Sequence, residues 1–190
     1  MRILGVVLKR MTFNAQFASD ASDSTGNYTT SVVNSVTFSG GNAVWSSQSP
    51  PSYIVTNEEG FLLNKKLTVT TEVNAAIGFA GKPIWTIVNT ALDSYIRLVY
   101  LTAGSGSFAI NVVGQNISTA ETYPAGATYT VKVELYLSGL VKIFVNGSLA
   151  GTGTVAVFTP MPRKLYIGYS PTFITYGYQG IMNYLTVEEG

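Results

Sequence analysis

The sequence predicts an all-β chain folded as a two-layer sandwich or a closed barrel, on three observations. Runs rich in Val, Ile, Thr, Tyr and Phe recur along the 190 residues, with Gly, Asn, Ser or Pro between them. Helix signals are nearly absent. Ten or more short strands in a chain of this length need two packed layers or a closed barrel to bury their apolar faces. The size fits one domain, so residues 1–190 are read as a single domain, with 1–10 as an N-terminal strand or arm.

Along the chain, the apolar run before Lys9 supplies that first strand or arm, and Ser19–Thr30 (SDASDSTGNYTT) is the most loop-like stretch. Strands are expected at Ser31–Phe38 and Tyr53–Thr56, separated by a turn-rich connection at Gly40–Pro51. Lys66–Val73, Pro83–Asn89, Tyr95–Thr102 and Ser107–Val113 follow, each β-branched or aromatic and each bounded by turn residues. Tyr129–Leu137 and Val141–Val145 alternate apolar and polar residues, which gives each strand one apolar face. A two-residue turn between them would put the two apolar sets on opposite faces. A three-residue loop, Ser138-Gly139-Leu140, pairs Leu137 with Val141, Leu135 with Ile143 and Val133 with Val145, and keeps the branched side chains together. Asn146-Gly147 is a type I′ turn signal that sends the chain back through Ser148–Thr152. Lys164–Tyr169 and Gly180–Val187 complete the set.

Composition excludes more chemistry than any motif suggests. The chain has no His and no Cys, so a Ser-His-Asp or Cys-His nucleophile, a zinc finger, a thiolate cluster and a disulfide are all ruled out. Charged residues make up 11%, against roughly 25% in an ordinary globular domain. The 17 Ser, 22 Thr and 12 Tyr supply the polar surface that charge does not. A net charge of +1 with no clustered basic face argues against nucleic acid as a partner. The pairs Lys9-Arg10, Lys65-Lys66 and Arg163-Lys164 read as solvated strand ends. Lys9 and Arg10 stop the run Ile3–Leu8 far short of a membrane span, and their position after the apolar run is the reverse of a secretory signal. An exported-looking composition without such a signal points to a virion or an extracellular, cell-surface setting. Sequons at Asn27, Asn116 and Asn146 matter only in a glycosylating compartment.

Four segments carry a family resemblance. Met11-Thr12-Phe13-Asn14 with Asp20 and Asp23-Ser24-Thr25-Gly26-Asn27 resembles an opening strand and its "D-S-S-G-N" loop. Asn89–Tyr100 (NTALDSYIRLVY) resembles a mid-sheet strand entered from a polar loop, and Val133–Gly147 a hairpin ending in "Y-V-N-G" with Phe144 in place of Tyr. Leu165-Tyr166-Ile167-Gly168 with Tyr178–Leu185 is similar to closing "L-x-I-G…F-x-G-x-I-x-x-V" strands. In this order they resemble the laminin G-like, concanavalin A-like lectin and glucanase jelly-roll superfamily. The resemblance implies a two-sheet antiparallel β-sandwich, the concanavalin A-like jelly roll, and it opens lectin, glycosidase, adhesion and virion roles alike.

Glycoside hydrolysis needs two carboxylates about 5–9.5 Å apart. No two of the ten acids sit at that spacing on one expected strand, and the family's E-x-D-x-x-E motif is absent, so the chain reads as a non-enzyme. The resemblance implies calcium, for which Asp20, Asp23 and Asn27 offer oxygens in one loop. The same residues are what a tight turn uses, and both readings stand at this stage. For carbohydrate, the aromatic and amide-rich candidates are Trp45, Tyr95, Arg97, Tyr169, Tyr176 and Tyr178. Tyr95 and Arg97 share a strand face, Trp45 reads as an exposed loop aromatic, and Trp85 reads as core. The expected function is a non-catalytic structural or adhesion protein of a surface assembly, contacting copies of itself or other subunits, and glycans. The alternatives are a secreted lectin domain and a degenerate glycoside hydrolase.

Overall fold

The computed structural model describes residues 12–46, 50–75, 81–101, 105–157, 159–172 and 177–190. The expected N-terminal strand or arm at 1–10 lies outside them. Among the described residues every regular element is a strand. The first five are β1 (Thr12–Ala15), β2 (Thr30–Val33), β3 (Val36–Ser39), β4 (Asn42–Trp45) and β5 (Tyr53–Thr56). The middle of the chain supplies β6 (Leu67–Ala75), β7 (Lys82–Val88), β8 (Tyr95–Tyr100), β9 (Ser105–Gly106), β10 (Phe108–Val112), β11 (Gln115–Ser118) and β12 (Tyr123–Pro124). The last are β13 (Thr128–Leu135), β14 (Leu140–Val145), β15 (Ser148–Thr154), β16 (Lys164–Ile167) and β17 (Gly180–Glu189).

Pairing is antiparallel throughout; fifteen strands form two sheets, and β9 and β12 pair separately as a two-stranded ribbon. One has eight strands in the order β15-β14-β13-β6-β17-β4-β3, with β1 also on β17, and the other has seven in the order β11-β10-β8-β7-β16-β5-β2. The inward residues of both meet in one core that includes Phe13, Trp45, Ile54, Leu67, Val69, Trp85, Leu98, Phe108, Ile143, Leu165 and Leu185. This is the two-sheet sandwich the resemblance implies, with Trp85 in the core as expected.

Three local expectations need correction. Ser31–Phe38 is two strands in different sheets, because Asn34 takes φ +61° and turns the chain across the sandwich. The Asn34 amide then donates to the Pro51 carbonyl (2.7 Å), and the Ser35 N–H donates to Ser52 Oγ (3.2 Å). Gly40–Pro51 contains β4, since Gly40-Gly41, both at positive φ, close a hairpin that pairs Ser39 with Asn42. In the β13–β14 hairpin, Leu135 pairs with Val141, Val133 with Ile143 and Val131 with Val145. The loop is Leu137-Ser138-Gly139, one residue earlier than expected. Gly139 (φ +83°) takes the left-handed third position that a three-residue hairpin requires. The faces are unchanged because the register moved by an even step.

The pair Arg163-Lys164 is also corrected, since Arg163 is fully buried. Its guanidinium donates to the carbonyls of Met161 (2.9 Å) and Thr159 (3.2 Å) and to Ser94 Oγ (2.7 Å), which ties the segment before β16 to the loop before β8. Near it lies a second buried ionisable group, Glu189, whose Oε1 accepts the Leu63 N–H (2.6 Å). Burial raises the Glu189 carboxyl above its ordinary 4.5, against the opposing pull of the Leu63 and Leu62 N–H groups and of Arg163 and Lys65. The folded state therefore holds this proton more tightly than the unfolded chain does. Its contribution to stability is complete below pH 4.5 and is lost as pH rises through the higher folded value. Glu189→Gln, which mimics the protonated form, should gain on wild type across that window, read as the difference in Tm between the two proteins from pH 4 to 8.

Candidate functional site

The seven-stranded sheet turns Ile54, Trp85, Ile87, Ile96, Leu98, Ile110, Leu165 and Ile167 into the core, so alternation sends their neighbours to the opposite face. Strand register then aligns residues distant in sequence. Asn116 lies beside Asn111, Asn111 beside Arg97, Arg97 beside Thr86, Thr86 beside Tyr166, and Tyr166 beside Val55. One row of amide, guanidinium, hydroxyl and phenol groups thus crosses neighbouring strands. Tyr95, Val88 and Lys164 form the row next to it.

This face is partly covered by the segment after β16. Tyr169 stacks on Tyr53 with ring centroids 4.8 Å apart at 18°, and Tyr53 lies 5.9 Å from Tyr166. Arg97 Nη1 reaches Thr172 Oγ1 at 3.5 Å, and the guanidinium carbon sits 5.0 Å from the Tyr95 ring centre, a cation–π contact. Burial lowers the Arg97 pKa, opposed by Tyr95. Burial, then Tyr53, Tyr169 and Glu59, raise that of the Tyr166 phenol, so at neutral pH it keeps its O–H as a donor. Two polar atoms lack hydrogen-bond partners although they are buried: Thr86 Oγ1 and Asn111 Oδ1, the latter in an amide whose Nδ2 donates to Asn116 Oδ1 (2.6 Å). An unpaired buried polar group costs roughly 1–3 kcal/mol. Beside Tyr166 the surface opens into a cleft of ≈ 120 Å³ lined by Glu59, Val88, Asn89, Thr90, Leu92 and Lys164. The Thr90 hydroxyl donates to the Glu59 carboxylate there. Aromatic faces flanked by amides, hydroxyls and cations suit the C–H faces and hydroxyls of a sugar. Glu59 is the sole carboxylate among these lining residues, whereas two are needed for glycoside hydrolysis.

The sequence candidates divide. Tyr95, Arg97 and Tyr169 stand on this face. Trp45 does not, a correction to its reading as an exposed loop aromatic: β4 alternates, and the turn at Gly40-Gly41 sends Ala43 and Trp45 inward. The indole packs edge-on to Phe17 (6.3 Å) and Tyr178 (5.5 Å). Tyr178 is likewise core, with its hydroxyl within 2.9 Å of the Asn74 carbonyl and 3.1 Å of that of Ile181. Tyr176 lies outside the described residues.

The calcium candidates are engaged in hydrogen bonds of their own loop. Both Asp23 oxygens are taken by the N–H groups of Asn14, Thr25, Asn27 and Tyr28 and by the Thr25 hydroxyl. Asn27 Nδ2 donates to the Thr12 carbonyl (2.9 Å), and Asp20 holds Ser22. No three carboxylates converge on a metal position among the described residues. The donor set does not fit the ion.

Sequence reasoning missed Tyr53, Thr86, Asn111 and Tyr166. The available signal was a lone polar residue in an otherwise apolar strand, Thr86 in KPIWTIV and Asn111 in FAINV.

No protein-family model and no curated protein matches the chain. Solved structures match it in fold. Domain 4 of AbnA, a GH43 extracellular arabinanase from Geobacillus stearothermophilus, solved with arabinotriose, superposes with a TM-score of 0.72 at 18% identity, over 94% of this chain and 91% of that one. The shared fold is the jelly-roll β-sandwich. The carbohydrate recognition domain of Emp47p gives a TM-score of 0.60 at 13% identity, over 94% and 95%. The binding domain of botulinum neurotoxin DC, in complex with SialylT, gives 0.65 at 10% identity over 94% of this chain and 47% of its own length, so the jelly roll spans about half of that binding domain.

Proposed function

We propose that the protein is a non-catalytic carbohydrate-binding sandwich whose ligand face is the outer side of the seven-stranded sheet. Tyr53, Tyr95 and Tyr166 supply aromatic surface, and the half-buried Arg97 and Asn89 supply hydrogen bonds to hydroxyls, while Thr86 and Asn111 lie buried beneath them in the same face. The observation that carries this reading is the row Asn111, Arg97, Thr86 and Tyr166, polar and directed away from the core on adjacent strands. The arabinotriose and SialylT complexes of two neighbours and the recognition domain of a third support it.

The test is an oligosaccharide array followed by calorimetry. Tyr166→Ala, which removes a stacking surface, should weaken the best ligand at least about tenfold. Tyr136→Ala, on the eight-stranded sheet, should leave affinity unchanged. An array without hits, or an affinity indifferent to both Tyr166→Ala and Arg97→Ala, would remove the reading.

The setting we propose is a surface assembly, in a virion or outside the cell, in which charge-poor surface meets other copies. The favouring observations are that β2 is an outermost strand with Val32 44% exposed, and that Leu137 and Leu149 are exposed elsewhere on the surface. Sedimentation as a monomer at high concentration would remove this part and leave the glycan reading intact.

A further inference from the structure

The loop Asn89–Ser94 separates the cleft beside Tyr166 from a larger one on its other side. This second cleft, of ≈ 390 Å³, is lined by Asp93, Ser94, Val113, Gln115, Val157 and Met161, among others. That volume falls within the roughly 300–1,000 Å³ of small-molecule clefts. We propose that it is a second ligand site, which takes one or two rings of a neutral sugar.

Its polar groups are already oriented. Gln115 Oε1 accepts the Ala156 N–H (2.9 Å), which leaves Nε2 to donate. Ser94 Oγ accepts from buried Arg163 (2.7 Å) and retains its own proton. Asp93 Oδ1 accepts from Asn89 Nδ2 (2.7 Å), and Oδ2 remains to accept. One acceptor and two donors thus line a cleft whose other walls are valine, alanine and methionine with Thr159, a combination that holds vicinal hydroxyls over an apolar ring face. The buried Arg163 guanidinium behind Ser94 places a positive charge near the Asp93 carboxylate.

Val113 argues that this surface is built for contact. The β10–β11 turn pairs Val112 with Gln115 across Val113 (φ +44°) and Gly114 (φ +84°). The β14–β15 turn has the same geometry, with Asn146 at φ +50° and Gly147 at φ +83°. Asn is the residue that geometry favours, while a β-branched residue there is strained. At the cleft, however, the chain places valine and leaves it 52% exposed, across from Val157 at 69%. Local energetics favour asparagine at 113, and the apolar lip is what valine supplies instead.

The inference takes its ligand class from the proposed function, and the test separates the two. Arabinotriose, cellotriose, maltotriose and chitotriose are titrated at millimolar concentration into isotope-labelled full chain, and shifts are followed at the Val113 and Val157 methyls, the Gln115 amide and the Tyr53 and Tyr166 rings. At least one probe should move the cleft signals, and Tyr166→Ala should leave those shifts in place. Val113→Asn should raise Tm by several degrees yet weaken the cleft interaction at least about fivefold, a combination that a purely structural valine would not give. Asp93→Asn should abolish it. No cleft shift with any probe, cleft shifts that survive both cleft variants unchanged, or cleft shifts lost with Tyr166→Ala would each overturn the second site. Shifts confined to the cleft would instead overturn the proposed sheet face.

Discussion

Asp23→Ala should destabilise the protein by about 4 kcal/mol, among the largest losses expected from a single side chain. The carboxylate is 8% exposed. Its Oδ1 accepts the N–H groups of Asn14 (2.8 Å) and Thr25 (3.0 Å), and its Oδ2 accepts those of Asn27 and Tyr28 (both 3.0 Å) and the Thr25 hydroxyl (2.7 Å). Hydrogen bonds to a charged group contribute roughly 1.5–3 kcal/mol each, and water can replace those that reach the exposed side of the loop, which brings the sum down to this figure. Alanine would leave the half-buried donors of β1 and Tyr28 unpaired and would free the loop that seats Tyr28 on Phe61, whose rings stack at 4.7 Å. In urea the midpoint should fall with the slope unchanged. Asp23→Asn should lose less but not recover, since its NH₂ would face N–H donors. A chelator should leave the wild-type Tm where it is. Had this loop been a calcium site, chelation would lower Tm as the mutation does, and that outcome would overturn the staple.

The same loop shows where sequence reading succeeded and where it stopped. Asp, Ser, Gly and Asn in order marked a turn, but whether the carboxylate faced a metal or five local donors depended on β1 lying alongside, a contact between residues nine positions apart. Strands with strict alternation, such as Thr128–Leu135 and Leu140–Val145, were legible because period two and flanking turn residues act within a few residues. Asn34 was not, since an asparagine inside a β-branched run gives no sign that its φ is positive and that the next strand joins the other sheet. Trp45 was misplaced for a related reason. Its direction is set by the Gly40-Gly41 hairpin, which looked like loop composition.

On the candidate face, Tyr95 and Arg97 were legible as a pair because they lie at i and i+2. Tyr53, Thr86, Asn111 and Tyr166 come from four strands spread over more than a hundred residues, and only sheet register brings them into adjacent positions. Local pattern fixes the face on which each side chain stands. It does not say which faces will meet.

Gly168 links that face to the core, and Gly168→Ala should cost about 2–4 kcal/mol or prevent folding. The residue has φ +83°, and a Cβ there would stand 2.4 Å from Trp45 Nε1 and 2.9 Å from Cε2. The indole cannot retreat, because Phe17 and Tyr178 hold it edge-on and it is 1% exposed. The backbone cannot shift either: the Gly168 N–H donates to Ile84 (2.8 Å), and its carbonyl accepts from Tyr178 (2.6 Å). Strain at positive φ contributes about 1 kcal/mol and overpacking against a rigid ring about 1–3 more. Gly147 separates the two contributions, since it has the same φ of +83° with nothing within 4 Å of its Cβ position. Gly147→Ala should therefore cost only the backbone share, about 1 kcal/mol. Equal losses for the two variants in chemical denaturation would show that the indole yields and that the core is softer than its packing indicates. Because Tyr169 follows Gly168 and stacks on Tyr53, any Gly168→Ala protein that does fold should also bind glycan more weakly, whereas Gly147→Ala should not.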